Sequence, residues 1–439
     1  MLRLWMSLTL LCVGPLVCGL ASSATDSISS SVDEVVQWNK TLLTIVRTPG
    51  AQPPTVHSTR SFAILHAAIY DAVNAIDATH EPFLVRIEHV PPHASQQAAA
   101  AAAAHDVLLA LYPTFQTMLD AQFEQSLARI PDGTDKTIGT DVGKAAAQAT
   151  AIMRSDDGSA AMPIPYIFGT AAGDYQSTPP NFPKQPAFTH WPRVETFVLR
   201  RANQFRPGPP PALTSTEYTE VFDEVKSLGI ANSVSATADQ VLIGRFWNGA
   251  IQNYWNEITQ TAAQAHHLTT AQSARVFALL NLTLADEVIA FYDAKYTYNF
   301  WRPVTAIRAA DTDGNPQTMV DTNWLPRAGN TAPDPSYPGA HATISAGAAV
   351  VLNAFFGRKP IHLSVTSEVL PGVIRSFDSF LAVEKEASVS RVYAGQHFRS
   401  DEDAGERLGR AVANFAVDNF LTRVPRRDER ERDEDGDDY

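Results

Sequence analysis

Ala271-Gln-Ser-Ala-Arg-Val-Phe-Ala-Leu-Leu-Asn-Leu-Thr-Leu-Ala-Asp-Glu-Val-Ile-Ala-Phe-Tyr-Asp-Ala-Lys295-Tyr-Thr-Tyr-Asn-Phe-Trp-Arg302-Pro303 reads as one long helix closed by a proline. Apolar residues recur in it at three- and four-residue spacing. Pro303 restricts Arg302 to extended backbone, so the helix is predicted to span Ala271–Arg302. Lys295 and Arg302 are seven residues apart, which on a helix puts them on nearly one face, about 10 Å apart. Two cations so spaced are suited to grip opposite sides of one anion. Tyr296, Tyr298, Phe300 and Trp301 lie between them, placed to bury their stems.

Outward from this segment the same periodicity predicts helices over Val32–Arg47, Ser61–Asp77, Phe115–Ala128, Thr134–Arg154, Thr216–Leu228, Ala236–Ile258, His341–Phe356, Ser364–Glu386 and Asp401–Leu421. Ala98–Ala104 is an unbroken alanine tract, and alanine is the best helix former. Long strand-like alternations are absent, so the fold expected is all-α, a multi-helix bundle. Gly158–Pro211 interrupts it with eleven prolines and eight interspersed aromatics. So long an irregular stretch is unusual in a compact domain, and its aromatics should pack it against the protein. The expected organisation is a helical region over 25–157, a Pro-rich segment over 158–215, a catalytic helical core over 216–421 and a disordered charged tail over 422–439.

The 439 residues are 45% hydrophobic and 18% charged, ample for a large core. A net charge of −13 disfavours nucleic-acid partners, whose backbones select basic faces. Residues 423–439 hold five arginines against eight acidic residues and so carry only −3 of that total. Met1–Ala24 reads as an export signal: a basic start, an apolar run over Leu4–Leu20, then small residues near Ala24 for cleavage. The chain is therefore expected to be exported, periplasmic or extracellular. Both cysteines, Cys12 and Cys18, fall in this leader, so the mature chain should hold no disulfide, thiol nucleophile or cysteine metal site. No other apolar run is long enough to span a bilayer, so no stable membrane insertion of the mature chain is expected.

Two further segments carry chemistry. Pro335-Ser-Tyr-Pro-Gly-Ala-His341 is a rigid lead-in to a small-residue helix. It should present the amides of Gly339, Ala340 and His341 at a helix N-terminus, where free donors and partial positive charge favour an anion. His341 would stand beside that anion as a proton carrier. Ser390-Arg391-Val-Tyr-Ala-Gly-Gln-His397-Phe-Arg-Ser-Asp401 is the most specific. On a helix, Asp401 would accept His397 Nδ1–H and leave Nε2 as nucleophile or ligand. Arg391, beyond the bend at Gly395, offers a planar fork for an oxyanion. Singly, each segment also fits a blander description: a solvated cation pair, a capping histidine, a His–Asp helix pair.

Together, in this order and spacing, they resemble the vanadium-dependent haloperoxidase and type 2 phosphatidic acid phosphatase superfamily. Its pattern is Lys-x6-Arg-Pro, Pro-Ser-Gly-His and Ser-Arg-x5-His-x3-Asp. Trp38-Asn39, His66-Ala-Ala-Ile-Tyr-Asp71, Thr237-Ala-Asp-Gln and Arg245-Phe-Trp extend the resemblance to the bacterial haloperoxidase branch, over roughly residues 33 to 421. It implies vanadate as cofactor, with phosphate competing for the same site. Lys295, Arg302, Gly339, Ala340, Arg391 and His397 would hold it, His397 as the axial ligand to vanadium and so the one metal ligand. His341 would help deprotonate hydrogen peroxide, Lys295 would polarise the activated oxygen and Asp401 would orient His397. Bromide or chloride would then leave as a hypohalous species. The same pocket on a phosphate ester would be a soluble exported acid phosphatase working through a phosphohistidine on His397. A non-catalytic oxyanion-binding protein is the third reading. Phe-Trp-Arg-Pro and the lack of a Tyr-Pro-x-Asp ending after His397 favour the haloperoxidase branch. The resemblance also implies a homodimer.

One departure stands out. Pro338-Gly-Ala-His341 replaces Pro-Ser-Gly-His, removing a serine hydroxyl. Losing one hydrogen bond to a charged oxygen costs about 1.5–3 kcal/mol, so serine at position 339 is expected to tighten vanadate binding. His66 and His105 read as core residues, and His266-His267 as a helix–loop junction. Asn39 and Asn281 start glycosylation sequons. Asp71 and Asp293 are both candidate partners for Arg391.

Overall fold

A computed structural model describes residues 8–9, 32–357 and 360–425. The expected leader, apart from Leu8–Thr9, and the tail beyond Pro425 lie outside the described residues. Among those described, the chain forms α1 (Glu34–Arg47), α2 (Ser58–Asp77), α3 (Gln96–Leu111), α4 (Gln116–Ala128), α5 (Thr134–Met153), α6 (Thr216–Leu228), α7 (Ala238–Phe246), α8 (Ile251–Ala265), α9 (Thr270–Tyr298), α10 (Pro303–Arg308), α11 (Ala340–Phe356), α12 (Phe380–Tyr393) and α13 (Arg399–Asn419). The fold is the helical bundle expected from the periodicity. No single described helix is long and apolar enough to cross a membrane.

Helix starts follow local chemistry. Asp33 accepts the N–H groups of Val35 and Val36, and Thr237/Gln240 and Thr269/Gln272 close capping boxes. The central helix α9 is buried along most of its length and packs on α2, α11 and α13. In the N-terminal half, all seven residues of the alanine tract are buried. Gly139 and Gly143 of α5 lie so close to α3 that an added Cβ would fall 2.3 Å from the carbonyls of Ser95 and Ala99. Small side chains on both helices permit that approach.

Three expected elements differ. The helix of Ala271–Arg302 stops at Tyr298, because Asn299 adopts the left-handed conformation (φ 48°) and reverses the chain. Pro303 then occupies the first turn of α10 rather than ending a helix. Ala236–Ile258 is two helices, broken over 247–250. Ser364–Glu386 is not one helix: Leu363–Thr366 and Ile374–Phe377 pair antiparallel across a turn with Gly372 at φ 84°, and α12 begins only at Phe380.

The Pro-rich segment is a strap around the C-terminal end of α9. Tyr175 N–H bonds Asn299 carbonyl, and Trp301 N–H bonds Gly173 carbonyl. Asp286 accepts the N–H groups of Phe197, Val198 and Leu199 at 2.7, 2.7 and 2.6 Å. Beyond one short 3-10 turn at Trp191–Arg193, side-chain and strap-to-helix bonds hold it in place of internal regular structure.

Candidate active site

The three cations converge at the end of the bundle where α9 terminates and α11 and α13 begin. Lys295 lies in the last turn of α9 and is fully buried. Its ammonium donates to the carbonyls of Pro335 and Ser336 and lies 3.6 Å from Asp334 Oδ1. Arg302 follows the reversal at Asn299 in extended backbone (φ −83°, ψ 155°). It donates through Nε to Asp334 carbonyl at 2.8 Å, through a terminal nitrogen to the Asp334 carboxylate, and to Gln396 carbonyl at 2.9 Å. The two do not share a helix face; the turn at Asn299, not helical spacing, brings them to one acid.

Arg391 enters from the last turn of α12, and the chain then turns at Gly395 (φ 74°). Its guanidinium bonds Asn248 Oδ1 at 3.2 Å from both terminal nitrogens, while Nε, though buried, has no partner. Neither carboxylate proposed for it is the partner. Asp71 is spent on the N–H groups of Phe83, Leu84 and Val85, and Asp293 pairs with Arg206.

His397 precedes α13, so its contact with Asp401 crosses the helix N-terminus rather than running along a helix face. Nδ1 lies 3.2 Å from Asp401 Oδ2, which also accepts from Ser336 Oγ at 2.6 Å and from Phe398 N–H at 3.1 Å. Nε2 lies 2.9 Å from an Arg302 nitrogen that can only donate. Nδ1 therefore carries the proton and Nε2 the lone pair. Burial and the charges of Arg302, Lys295 and Arg391 hold this imidazole well below the usual histidine range, so it is neutral at pH 7.

His341 stands in the first turn of α11, and its Nε2 lies 2.9 Å from Trp247 carbonyl. A carbonyl only accepts, so Nε2–H is donated and Nδ1 keeps a lone pair. Burial and Arg391 hold it well below the usual range too. The break between α7 and α8 supplies this contact: inside a continuous helix, Trp247 carbonyl would bond the amide four residues on, and the Asn248 side chain would not turn to Arg391. The 3.6-residue pattern across 236–258 hid both residues.

At the start of α11, Ala340, His341 and Ala342 offer N–H groups with no protein partner. The Gly339 amide is not among them; it donates to Asp401 carbonyl at 2.8 Å. Gly405 and Gly409 let α13 approach α11 closely, since an added Cβ would lie 2.4 Å from Gly339 carbonyl and 2.1 Å from Thr343 carbonyl. Serine at 339, expected to tighten binding, would require the Glu402 carboxyl to shift. A Cβ there would sit 2.2 Å from Glu402 Oε1, and Glu402 is a residue the sequence reading missed. Asp334, Asn248 and Ser336 were missed likewise. Ser336 lies inside the quoted Pro335–His341 stretch and Asp334 just before it, but nothing in the sequence says which of these residues turns inward.

The site is electropositive at neutral pH. Burial pulls Lys295 down to about 8, still charged at pH 7, and Arg391 to about 10. Burial pushes Asp401 up to about 6 against the bonds from Ser336 and Phe398, and lifts Glu402 well above the carboxylate range with help from Asp401. Several buried polar atoms have no partner: Arg391 Nε, Asp401 Oδ1 and both Glu402 oxygens. Three cations, unspent amides at a helix N-terminus and a neutral imidazole whose unprotonated Nε2 accepts from Arg302 fit a tetrahedral oxyanion such as vanadate.

Residues 275–425, which hold every one of these motifs, match the VCPO second helical-bundle domain. A vanadium chloroperoxidase of Curvularia inaequalis is 24% identical over 315 residues, which are 55% of this chain and 51% of that protein. The chain thus spans about half the length of this curated relative. A bacterial vanadium-dependent iodoperoxidase superposes with a TM-score of 0.76 at 24% identity, over 90% of this chain and 97% of that one. A holo bacterial vanadium-dependent chloroperoxidase gives 0.65 at 15%, over 85% and 94%. The fold of this chain is the helical fold of the vanadium haloperoxidases.

His66 and His105 take structural roles. His66 is fully buried, bonded through Nε2 to Asn39 Oδ1 at 2.9 Å and stacked on Phe277. His105 bridges Asp106 and Asp120. Asn39 and Asn281 are buried, so neither sequon is accessible. Among the described residues no cluster of His, Cys, Asp and Glu is arranged to hold a metal ion.

Proposed function

We propose that this chain is a vanadate-dependent haloperoxidase that oxidises halide with hydrogen peroxide to a hypohalous species. The observation that supports it best is the convergence of Lys295, Arg302 and Arg391 on one side of a neutral His397 whose Nε2 lone pair faces the cations. Lys295, Arg302, Arg391 and the amides of Ala340 and His341 would hold vanadate, with His397 Nε2 as its protein ligand. Vanadate, when bound, supplies Lewis acidity toward peroxide without changing oxidation state.

The chain's own residues do the rest. Asp401, oriented by Ser336 and Phe398 N–H, fixes the His397 tautomer. His341, with Nε2–H spent on Trp247 carbonyl, keeps Nδ1 as the proton acceptor for peroxide. Its depressed basicity keeps it unprotonated at neutral pH. Lys295 places a positive charge where negative charge develops on oxygen, in surroundings dried by Trp301 and Phe300. Asp334 holds Lys295 and Arg302 in register. The leader expected over Met1–Ala24 extends the proposal to an exported enzyme, checked by sequencing the N-terminus of secreted protein.

The test is halogenation of a diketone reporter by the purified chain with peroxide and chloride, bromide or iodide, while vanadate is titrated in. Saturable vanadate-dependent turnover is expected. No turnover, with nitrophenyl phosphate hydrolysis that vanadate inhibits, would overturn the proposal in favour of a phosphatase acting through His397.

A further inference from the structure

Lys295 and Arg302 are held by backbone and by charge at once. Arg302 donates through Nε to Asp334 carbonyl at 2.8 Å and through one terminal nitrogen to Gln396 carbonyl at 2.9 Å. Lys295 donates to Pro335 carbonyl and, at 3.1 Å, to Ser336 carbonyl. These four acceptors are enough to aim both cations. To them the Asp334 side chain adds a carboxylate, which accepts from the other terminal nitrogen of Arg302 and lies 3.6 Å from the Lys295 ammonium. What that side chain contributes beyond the carbonyls is its negative charge.

The charge is well placed to matter. Among the described residues, no other carboxylate lies within ion-pair distance of Lys295, Arg302 or Arg391. The side chains of Lys295, Arg302 and Asp334 are 0%, 1% and 10% exposed, so water screens them little. The Arg302 nitrogen that meets Asp334 and the one 2.9 Å from His397 Nε2 belong to the same guanidinium. The carboxylate therefore stands one guanidinium's width behind the place where an oxyanion would meet His397.

We propose that Asp334 is a specificity residue, a built-in counter-ion whose fixed charge shifts the cradle's preference from doubly charged toward singly charged tetrahedral oxyanions. The inference rests on the reading of this site as an oxyanion cradle. Coulomb energy scales with the charge of the ligand, so the factor by which the carboxylate weakens a singly charged anion is squared for a doubly charged one of the same size. Orthovanadate at neutral pH is largely singly charged, whereas a phosphate monoester carries about −1.5 to −2. The same carboxylate thus discriminates against the substrates of a phosphatase.

The experiment titrates perrhenate, a singly charged tetrahedral oxyanion, and tungstate, a doubly charged one, into the full chain by calorimetry at one neutral pH and fixed ionic strength. Circular dichroism confirms folding. Asp334→Asn keeps the shape and an acceptor oxygen for Arg302 but drops the charge. It should tighten perrhenate roughly 10-fold and tungstate roughly 100-fold. Asp334→Ser gives the same reading if the amide is not tolerated. Because Asp334 also favours the charged form of Lys295, the comparison is repeated with Lys295→Met, where Arg302 is the one cation left in contact with residue 334. The larger gain for tungstate should persist there. Equal changes for the two anions, or weaker binding of tungstate in both backgrounds, would overturn the proposal and leave Asp334 a positioning residue. If the wild-type chain binds neither these anions nor orthovanadate, the cradle reading itself fails, and this inference with it.

Discussion

Three buried carboxylates meet two different fates. Asp286 of α9 is fully buried and accepts three backbone N–H groups from the strap at 2.6–2.7 Å. Asp71 of α2 does the same for Phe83, Leu84 and Val85 at 2.7–2.8 Å. Glu402 of α13 is as deeply buried and accepts nothing. The first two carboxylates are spent on holding irregular backbone, which has few other partners. The third lies among unspent donors at a helix N-terminus. Carboxylates that organise irregular backbone are satisfied by the chain, whereas Glu402, and Glu287 beside Gly347, are buried without a partner.

The largest effect expected lies on the functional side of that contrast. His397→Ala should abolish vanadate binding and vanadate-dependent turnover while leaving the fold intact. A variant that still binds vanadate saturably would sink the assignment of Nε2. Next comes the packing that brings the cradle together. Gly409→Ala puts a Cβ 2.1 Å from Thr343 carbonyl, and backbone cannot yield as a flexible side chain would. We expect a loss of about 3 kcal/mol in a denaturant titration, with oxyanion affinity lost alongside as α13 moves from α11.

The contrast itself is tested by comparing Asp286→Ala with Glu402→Gln. The first leaves three strap N–H groups unpaired, and should cost about 2–4 kcal/mol of stability with little change in oxyanion affinity. The second removes no bond that the free protein makes, so its melting temperature should stay near wild type. Equal destabilisation by both would mean that Glu402 is a structural residue after all. The smallest effect is a pH dependence. Lys295 is pulled down to about 8 by burial, so it is charged below that pH and neutral above it. Oxyanion affinity should decline as pH rises through about 8, and Lys295→Met should flatten that decline. An unaltered decline in the variant would assign it to another group.

Much of the site was legible because its residues announce themselves by type and spacing. Lys295, Arg302, His341, Arg391, His397 and Asp401 all meet in one place, as the motifs implied. Their supporting cast did not show. Asp334 and Glu402 look in sequence like any exposed acid. Trp247 and Asn248 sat inside a pattern that read as uninterrupted helix, yet they serve the site through that helix's break. Asp71 and Asp293 were equally good candidates for Arg391 because charge says nothing about which loop lies nearby.

The sequence by itself determined the helical class, through apolar spacing and caps that act within one or two turns. It also picked out the residues proposed to hold the oxyanion, because oxyanion chemistry demands particular side chains. Only the tertiary structure decided how Lys295 and Arg302 meet. A left-handed residue at Asn299 does it, and local preference for helix there was overridden by bonds from Asn299 and Trp301 to the strap. Only the tertiary structure, too, showed what lies against the glycine at 339. The carboxyl that crowds this position comes from Glu402, more than sixty residues away in the chain, and no local rule connects two positions that touch only when α13 is packed on α11.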